Sequence, residues 1–136
     1  MADTLTVTQS ASITLGGKAI STTVTKAHSV SVAMEHYISV GTGSFVTIGP
    51  MDRGAFGYED FKFMVITNQD ATNFVTIYLQ VDGGYQFHKI LPGSSFCMND
   101  NKSFNNQSTT SDFSDVEAVY AKADTAAVEL KLFVAA

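Results

Sequence analysis

The sequence predicts an all-β fold made of antiparallel strands. Three observations lead to this prediction: apolar residues recur at every second position in several segments, Val, Ile, Thr and Phe are abundant, and short glycine-containing turns separate the alternating segments. Alternation with a period of two is typical of strands that bury one face, because successive side chains point to opposite faces of the sheet. With 136 residues, 45% of them apolar, the chain is long enough to form one domain with its own core.

The N-terminal segment, residues 1–26, is rich in Thr and Ser. Apolar residues spaced by two, as in short strands, occur twice in it, at Leu5 and Val7 and at Ile13 and Leu15. Gly16-Gly17 could join two such strands into a hairpin. Alternatively, the segment is an extended arm that pairs with another copy's sheet edge, because small polar β-formers offer backbone donors and acceptors but little core. We therefore divide the chain into an N-terminal arm or edge strands, 1–26, and a domain, 27–136.

The longest alternation in the chain runs from residue 28 to residue 40. Val, Met, Ile and two His occupy the even positions, and mostly small or polar residues occupy the odd ones. This pattern predicts one strand with a core face and a solvated face, bent or bulged partway because about 12 residues exceed the usual strand length. Gly41-Thr42-Gly43 ends the strand, and a shorter one resumes over 44–48.

The clearest turn signals lie between residues 61 and 98. Asp82-Gly83-Gly84 predicts a tight hairpin, because glycine accepts a positive φ without steric cost. Pro92-Gly93 ends the next strand, because proline has no N–H to donate to a ladder. We therefore expect an antiparallel meander with strands at 61–66, 75–81, 85–91 and 95–98.

Residues 114–123 are compatible with either a helix or a strand. Ser114 and Glu117 have the spacing of a helical capping box, and an apolar stripe at helical spacing follows. The strand alternative also places apolar residues on one face. We prefer the strand, in a hairpin with a second strand over 128–134 through Asp124-Thr125-Ala126, because a lone helix would have no other helix to pack against.

The composition argues against several classes of function. The net charge is −5 and Arg53 is the only arginine, so we expect no nucleic-acid partner, since phosphate binding needs clustered cations. No apolar stretch approaches the roughly 20 residues that span a bilayer, so we expect no membrane partner. Cys97 is the only cysteine and the N-terminus lacks the pattern of a secretory signal, so we expect a chain made in a reducing cytoplasm.

No set of residues has the pattern of a catalytic, cofactor-binding or metal site. His88 is the histidine nearest to the candidate nucleophile Cys97, but it lies on the preceding predicted strand, and we interpret it as a half-buried rim residue. The three histidines show no metal-ligand spacing, and Gly83-Gly84 belongs to a strand-to-strand turn, which cannot serve as a phosphate loop. We therefore predict a protein that is not an enzyme and has no cofactor.

Two polar segments, 49–60 and 99–111, are the most loop-like, and loops carry binding residues more often than strands do. The alternative is that both are solvated connections. The candidate interface residues in and beside them are Met51, Arg53, Phe56, Tyr58, Phe104 and Phe113. The strand aromatics are predicted to pack in the core: Phe61, Phe63, Phe74, Tyr78, Tyr85, Phe87 and Phe96.

Five segments between residues 61 and 134 form a characteristic succession: VITN at 65–68, FVTIYL at 74–79, YQFHK at 85–89, LPGS at 91–94 and VYAKADTAAVEL at 119–130. This succession resembles small structural proteins of tailed bacteriophage virions. The resemblance covers residues 61–134 and implies a β-sandwich of the virion shell, neck or tail, without catalytic residues. We therefore predict a jelly-roll-like antiparallel β-sandwich at 27–136 with an extended N-terminal arm, located in the virion. The resemblance also implies capsid or other virion proteins as partners and a homo-oligomer, for which a trimer is one arrangement.

Among virion roles, a capsid decoration or cement protein is favoured, because the chain is small and its arm and polar loops suit attachment to an outer surface. The alternative virion role is a neck or tail component. The competing class is a carbohydrate-binding β-sandwich module, which would present an exposed aromatic platform with polar groups that orient a sugar.

Overall fold

The computed structural model describes residues 2–48, 61–81, 84–99, 102–104 and 113–136. Within these ranges the chain is all-β, without a helix, and every strand pairing is antiparallel, as the sequence predicted. The strands are β1 (Asp3–Leu15), β2 (Lys18–Val30), β3 (Ala33–Val40), β4 (Val46–Thr47), β5 (Phe63–Asn68), β6 (Val75–Val81), β7 (Gly84–Ile90), β8 (Ser95–Met98), β9 (Lys102–Phe104), β10 (Phe113–Ala123) and β11 (Val128–Ala135).

The chain divides into two compact units, Met1–Ser31 and Val32–Ala136. The first unit is a long hairpin in which all 13 residues of β1 pair with β2, from Asp3 opposite Val30 to Leu15 opposite Lys18. The two-residue connection is Gly16-Gly17, with φ angles of 55° and 80°. Two successive positive φ angles give a turn whose twist matches that of the strands, and glycine adopts them without a Cβ clash. Of the two alternatives for this segment, the hairpin is therefore the local structure.

The prediction of one continuous strand over 28–40 is wrong, but the predicted bend partway along it is present. Its first part belongs to β2, its second part is β3, and the chain bends at Ser31 between them. Val32 exchanges backbone hydrogen bonds with Ala136, at 3.0 and 3.2 Å, which aligns β3 with β11, whereas β2 pairs with β1. The even positions of β3 are the less exposed ones, as predicted. The apolar alternation continues through the bend because it depends only on which face of the strand is buried. It does not depend on which strand is the hydrogen-bonded partner.

The second unit contains two sheets. One has the strand order β3-β11-β5-β8, and the other has the order β4-β10-β6-β7, with β9 also paired to β10. The predicted strands of the 61–98 segment are present, with β5 shifted by two residues and β7 by one. The predicted meander is wrong, because β6 and β7 are the only two of these strands that are consecutive in the chain and also neighbours in a sheet, whereas β5 and β8 pair with each other in the other sheet. The turn residues Asp82 and Gly83 lie outside the described residues, and Gly84 opens β7 opposite Val81.

The strand preferred for residues 114–123 is confirmed as β10, and the strand at 128–134 is confirmed as β11. The hairpin between them is wrong, because β10 pairs with β4, β6 and β9, and β11 pairs with β3 and β5. At the end of β10 the backbone N–H of Ala123 donates to the carbonyl of Gly41 at 3.0 Å, and that of Asp124 donates to Phe74 at 3.2 Å. Since both strands already have neighbours on both edges, the short connection has to pass from one sheet to the other.

Both sheets contribute to one hydrophobic cluster. From β6 come the alternate residues that the sequence placed on one face, and from β11 comes the matching alternate set. Each such aliphatic side chain stabilises the folded state by about 1.5–3 kcal/mol when fully buried. The largest fully buried members are Phe61, Met64, Ile66, Ile77, Leu79, Leu130 and Leu132.

A buried asparagine secures two of the passages between the sheets. Asn68, at the end of β5, is 0% exposed; its Nδ2 donates to the carbonyls of Asn73 at 2.8 Å and Ile90 at 3.3 Å, and its Oδ1 accepts from the N–H of Asp70 at 3.0 Å. Its backbone N–H donates to Ser94, and its carbonyl accepts from Gly93. One side chain thereby satisfies polar backbone groups of two connections, which would otherwise be buried without partners.

The two connections are themselves stabilised by local turns. The N–H groups of Thr72 and Asn73 donate to Asp70 Oδ1 at 2.7 and 2.6 Å, and these backbone bonds, that from Asn73 foremost, lower the pKa of the Asp70 carboxyl. In the other connection Pro92 and Gly93, the latter with a φ of 68°, form a turn closed by the Ser94 N–H donating to Leu91 at 3.0 Å. The predicted Pro-Gly turn is therefore confirmed.

We expect Asn68→Ala to destabilise the second unit strongly. The substitution leaves the Asn73 and Ile90 carbonyls and the Asp70 N–H without their amide partner, at a cost of about 1–3 kcal/mol for each group that stays buried. Urea denaturation measures the change in the free energy of unfolding. Gln69→Ala, at the exposed neighbouring position, is the control, and equal denaturation midpoints for the two variants would contradict the role assigned to Asn68.

Candidate functional site

The outer face of the β4-β10-β6-β7 sheet carries an exposed aromatic surface, and three of its residues, Tyr78, Tyr85 and Phe87, were predicted to pack in the core. Phe61 and Phe63 are buried as predicted. Tyr85 and Phe87 are not, because 48% and 61% of their surfaces are exposed. The cause is the register of β7: Phe87 lies opposite Tyr78, and Tyr78 alternates with the core residues of β6 and so points away from the core.

These aromatic side chains form a continuous group. Tyr120, Tyr78 and Phe87 lie side by side on β10, β6 and β7. Tyr78 is central: its ring centroid is 4.5 Å from Tyr120 in a stacked arrangement, 5.3 Å from each of Tyr85 and Phe87, and 4.9 Å from Phe45. We name these five residues, Phe45, Tyr78, Tyr85, Phe87 and Tyr120, the aromatic platform. Aromatic pairs at these distances stabilise one another by about 0.5–1.5 kcal/mol beyond their burial, so the platform is held in a defined shape.

Polar side chains border the platform on one side along the strands. The Tyr120 hydroxyl donates to Gln80 Oε1 at 3.3 Å, and Gln80 Nε2 donates to Glu117 Oε2 at 3.1 Å. Gln80 is half-buried and Glu117 is exposed. An amide and a carboxylate are thus positioned by hydrogen bonds beside the rings.

Basic and hydroxyl groups border the other side. Lys122, Thr76 and Lys89 face one another in register across β10, β6 and β7. The Lys89 ammonium lies 3.7 Å from the centre of the Phe74 ring, a cation–π contact. A groove of about 280 Å³ opens there, lined by Phe45, Phe74, Thr76, Lys122, Ala123 and Asp124.

Burial raises the pKa of the Tyr78 phenol above its ordinary value of 10.0, and the neighbouring Tyr120 and Tyr85 add to the shift. Tyr78 is half-buried at the centre of the platform, whereas the side chains of Tyr85 and Phe87 are exposed.

The hairpin unit carries a second unusual surface. Because residues opposite each other on antiparallel strands share a face, one face holds Ile13, Leu15, Ile20 and Val24, which are 52–60% exposed. The opposite face consists only of Thr, Ser and Ala, and all of its residues are exposed: Thr4, Thr6, Thr8, Ser10, Ser12, Thr14, Ala19, Ser21, Thr23, Thr25, Ala27 and Ser29. The hairpin tip thus presents apolar side chains on one side and hydroxyl groups on the other.

The structure describes two of the six interface residues predicted from the sequence. Met51, Arg53, Phe56 and Tyr58 lie outside the described residues. Phe104 and Phe113 were predicted in loops, but their backbones lie in β9 and β10, directly opposite each other. The polar composition of 99–111 concealed a three-residue strand, since short edge strands carry too few residues to show alternation.

His88 is the half-buried rim residue that its position predicted. Its ring centroid lies 4.5 Å from that of Phe96, and burial lowers the pKa of the imidazole. Within the described ranges no three His, Cys, Asp or Glu side chains come close enough to hold a metal ion. No helix in the same part of the chain has the length and apolar character needed to cross a membrane.

Comparison of the chain with family models, curated proteins and solved structures finds no match.

We expect the free energy of unfolding to fall less steeply above pH 10.0 in Tyr78→Phe than in the wild type. Burial raises the pKa of Tyr78 above its ordinary value of 10.0, so the unfolded chain ionises first and the stability associated with the neutral phenol is lost as pH rises through the folded pKa. Urea denaturation at a series of pH values measures the difference. An identical pH dependence in the two proteins would contradict the assignment.

Proposed function

We propose that this protein is a non-enzymatic structural subunit of a bacteriophage virion, present in many copies and attached as a capsid decoration or cement protein. The observation that carries this proposal is the hairpin β1–β2, whose apolar tip residues are more than half exposed. Apolar surface of this kind marks an interaction site on a protein that works by association. The phage context itself comes from the sequence resemblance, and a neck or tail position is the alternative within it.

The fold that we propose for the second unit is a jelly-roll β-sandwich. What supports it is the strand order: with β9 set aside, the sheets are β3-β11-β5-β8 and β4-β10-β6-β7, and both contribute to one core. Along the chain, each strand lies in the opposite sheet from the strand before it, except that β6 and β7 are neighbours in one sheet, and this is the strand order of two interleaved Greek keys. Viral capsid proteins and lectins are among the proteins that use this architecture.

The hairpin has the features of an N-terminal arm that contacts neighbouring subunits. Within the described residues, β1 and β2 pair only with each other, so each has an outer edge of backbone groups open to another strand. Each exposed Ile or Leu at the tip would stabilise an assembly by about 1.5–3 kcal/mol if it were fully covered. Many such contacts in an array bind firmly through avidity, although each contact alone is weak.

The charge distribution fits contacts between copies. Asp3, Lys18 and Lys26 give residues 1–31 a net charge of +1, so the remaining residues carry −6 of the total of −5. A weakly basic hairpin and an acidic second unit attract each other between copies, which favours association of the hairpin of one copy with the second unit of another.

We expect the purified protein to co-sediment, in a fixed symmetric copy number, with virions of the encoding phage that lack it. Ile13→Thr/Ile20→Thr should weaken this binding roughly tenfold or more per site, because it replaces apolar contact surface while keeping β-forming residues at the tip. Quantitative gel analysis of the pellet measures the copy number.

The matched control is Ser12→Thr/Ser21→Thr, a directly paired position on the hydroxyl face, which should bind as the wild type does. Absence of the wild-type protein from the pellet would overturn the virion role. Wild-type binding by Ile13→Thr/Ile20→Thr would overturn the role of the hairpin tip.

A further inference from the structure

We infer that the aromatic platform binds an oligosaccharide chain, with a sugar ring stacked on each of Tyr85 and Phe87. This inference is independent of the virion role, because it rests on the outer face of β6, β7 and β10 and does not use the hairpin. The apolar faces of a pyranose pack on aromatic rings, while its hydroxyl groups need donors and acceptors at the margins of the site.

The two exposed rings have the arrangement of stacking surfaces for successive sugars. Tyr85 and Phe87 are two residues apart on β7, so they lie on the same face at a separation of about 7 Å along the strand. Both rings contact Tyr78 on the neighbouring strand, with centroid distances of 5.3 Å, and Phe87 also contacts Phe45 at 6.2 Å. A ligand therefore meets rings already held in place, and little conformational entropy is lost when it binds.

The margins supply the hydrogen-bonding groups that a polyhydroxylated ligand requires. On one side the bond from Gln80 to Glu117 orients an amide next to a carboxylate, a combination that can accept from and donate to neighbouring hydroxyls. On the other side Thr76 and Lys122 line the groove. Hydrogen-bond donors and acceptors therefore both border the rings. This matches a sugar chain, whose hydroxyl groups donate and accept hydrogen bonds along its length.

The size of the exposed aromatic surface favours a small ligand over a protein partner. Tyr85 and Phe87 are 48% and 61% exposed. Because an aromatic side chain has a surface area of about 150–250 Å², the two together expose roughly 200 Å². A stable protein interface covers about 800 Å² on each partner. Two rings with polar borders are enough to stack two sugar units. Their exposed area is much smaller than the area that a stable protein interface buries on each partner.

The test is native affinity electrophoresis of the full-length protein in gels that contain dextran, hydroxyethylcellulose or galactomannan. We expect retardation of the wild type in at least one gel, and an approximately tenfold weaker retention constant for Phe87→Ala and for Tyr85→Ala, as for the loss of an anchoring side chain. Tyr85 and Phe87 are 48% and 61% exposed and lie outside the core cluster, so neither substitution opens a cavity in the core. The chain has no Trp, so a change in tyrosine fluorescence on titration with the retarding polysaccharide gives a second measurement of affinity.

Tyr37→Ala is the matched control, since Tyr37 is an equally exposed tyrosine (50%) on the outer face of the other sheet, and it should be retarded like the wild type. Wild-type mobility that is unchanged in all three gels would overturn the inference. Equal loss of retention in Tyr37→Ala would overturn it too, as would a change of sedimentation coefficient in Phe87→Ala, which would make the platform a contact between protein chains.

Discussion

The second unit depends on repeated passage of the chain between two sheets that share one core. Every passage takes backbone N–H and C=O groups past the edge of the core, where groups without partners would each cost about 1–3 kcal/mol. Asn68 meets this constraint for the passages before β6 and after β7, because its amide bonds to Asn73, Asp70 and Ile90. The aliphatic core supplies most of the stabilisation, and the asparagine selects the path by which the chain encloses that core.

The way in which the strands fill the core also determines which side chains lie on the outer faces of the sheets. Buried and half-buried residues alternate strictly along β6. Because its odd-numbered residues lie in the core, Thr76, Tyr78 and Gln80 point to the outer face of the sheet. The short connection to β7 then places Phe87 opposite Tyr78. An aromatic group on the surface is thus a geometric consequence of how the core is filled, and its exposure calls for a functional explanation, because apolar surface without a partner is costly in water.

The hairpin tip and the platform are different kinds of surface. The tip carries aliphatic side chains on a two-stranded ribbon whose outer edges pair with no other described strand, which suits association with another protein chain. The platform carries rigid rings bordered by hydrogen-bonding groups, which suits a small polar ligand. A protein that assembles through one surface and binds glycans through the other would bring many weak sugar sites together, and avidity would then increase its binding to polysaccharide.

The sequence by itself determined the all-β class, the positions of most strands and the Gly16-Gly17 and Pro92-Gly93 turns, because period-two alternation and the φ preferences of glycine and proline act locally. It also determined which residues of β6 and β11 are buried. Tertiary structure alone decided that β5 and β6 lie in different sheets, that β10 and β11 do not pair, and that Tyr85 and Phe87 face outward. Partner choice between strands depends on contacts among residues distant in sequence, and an alternating pattern is equally satisfied by any neighbour that covers the same face.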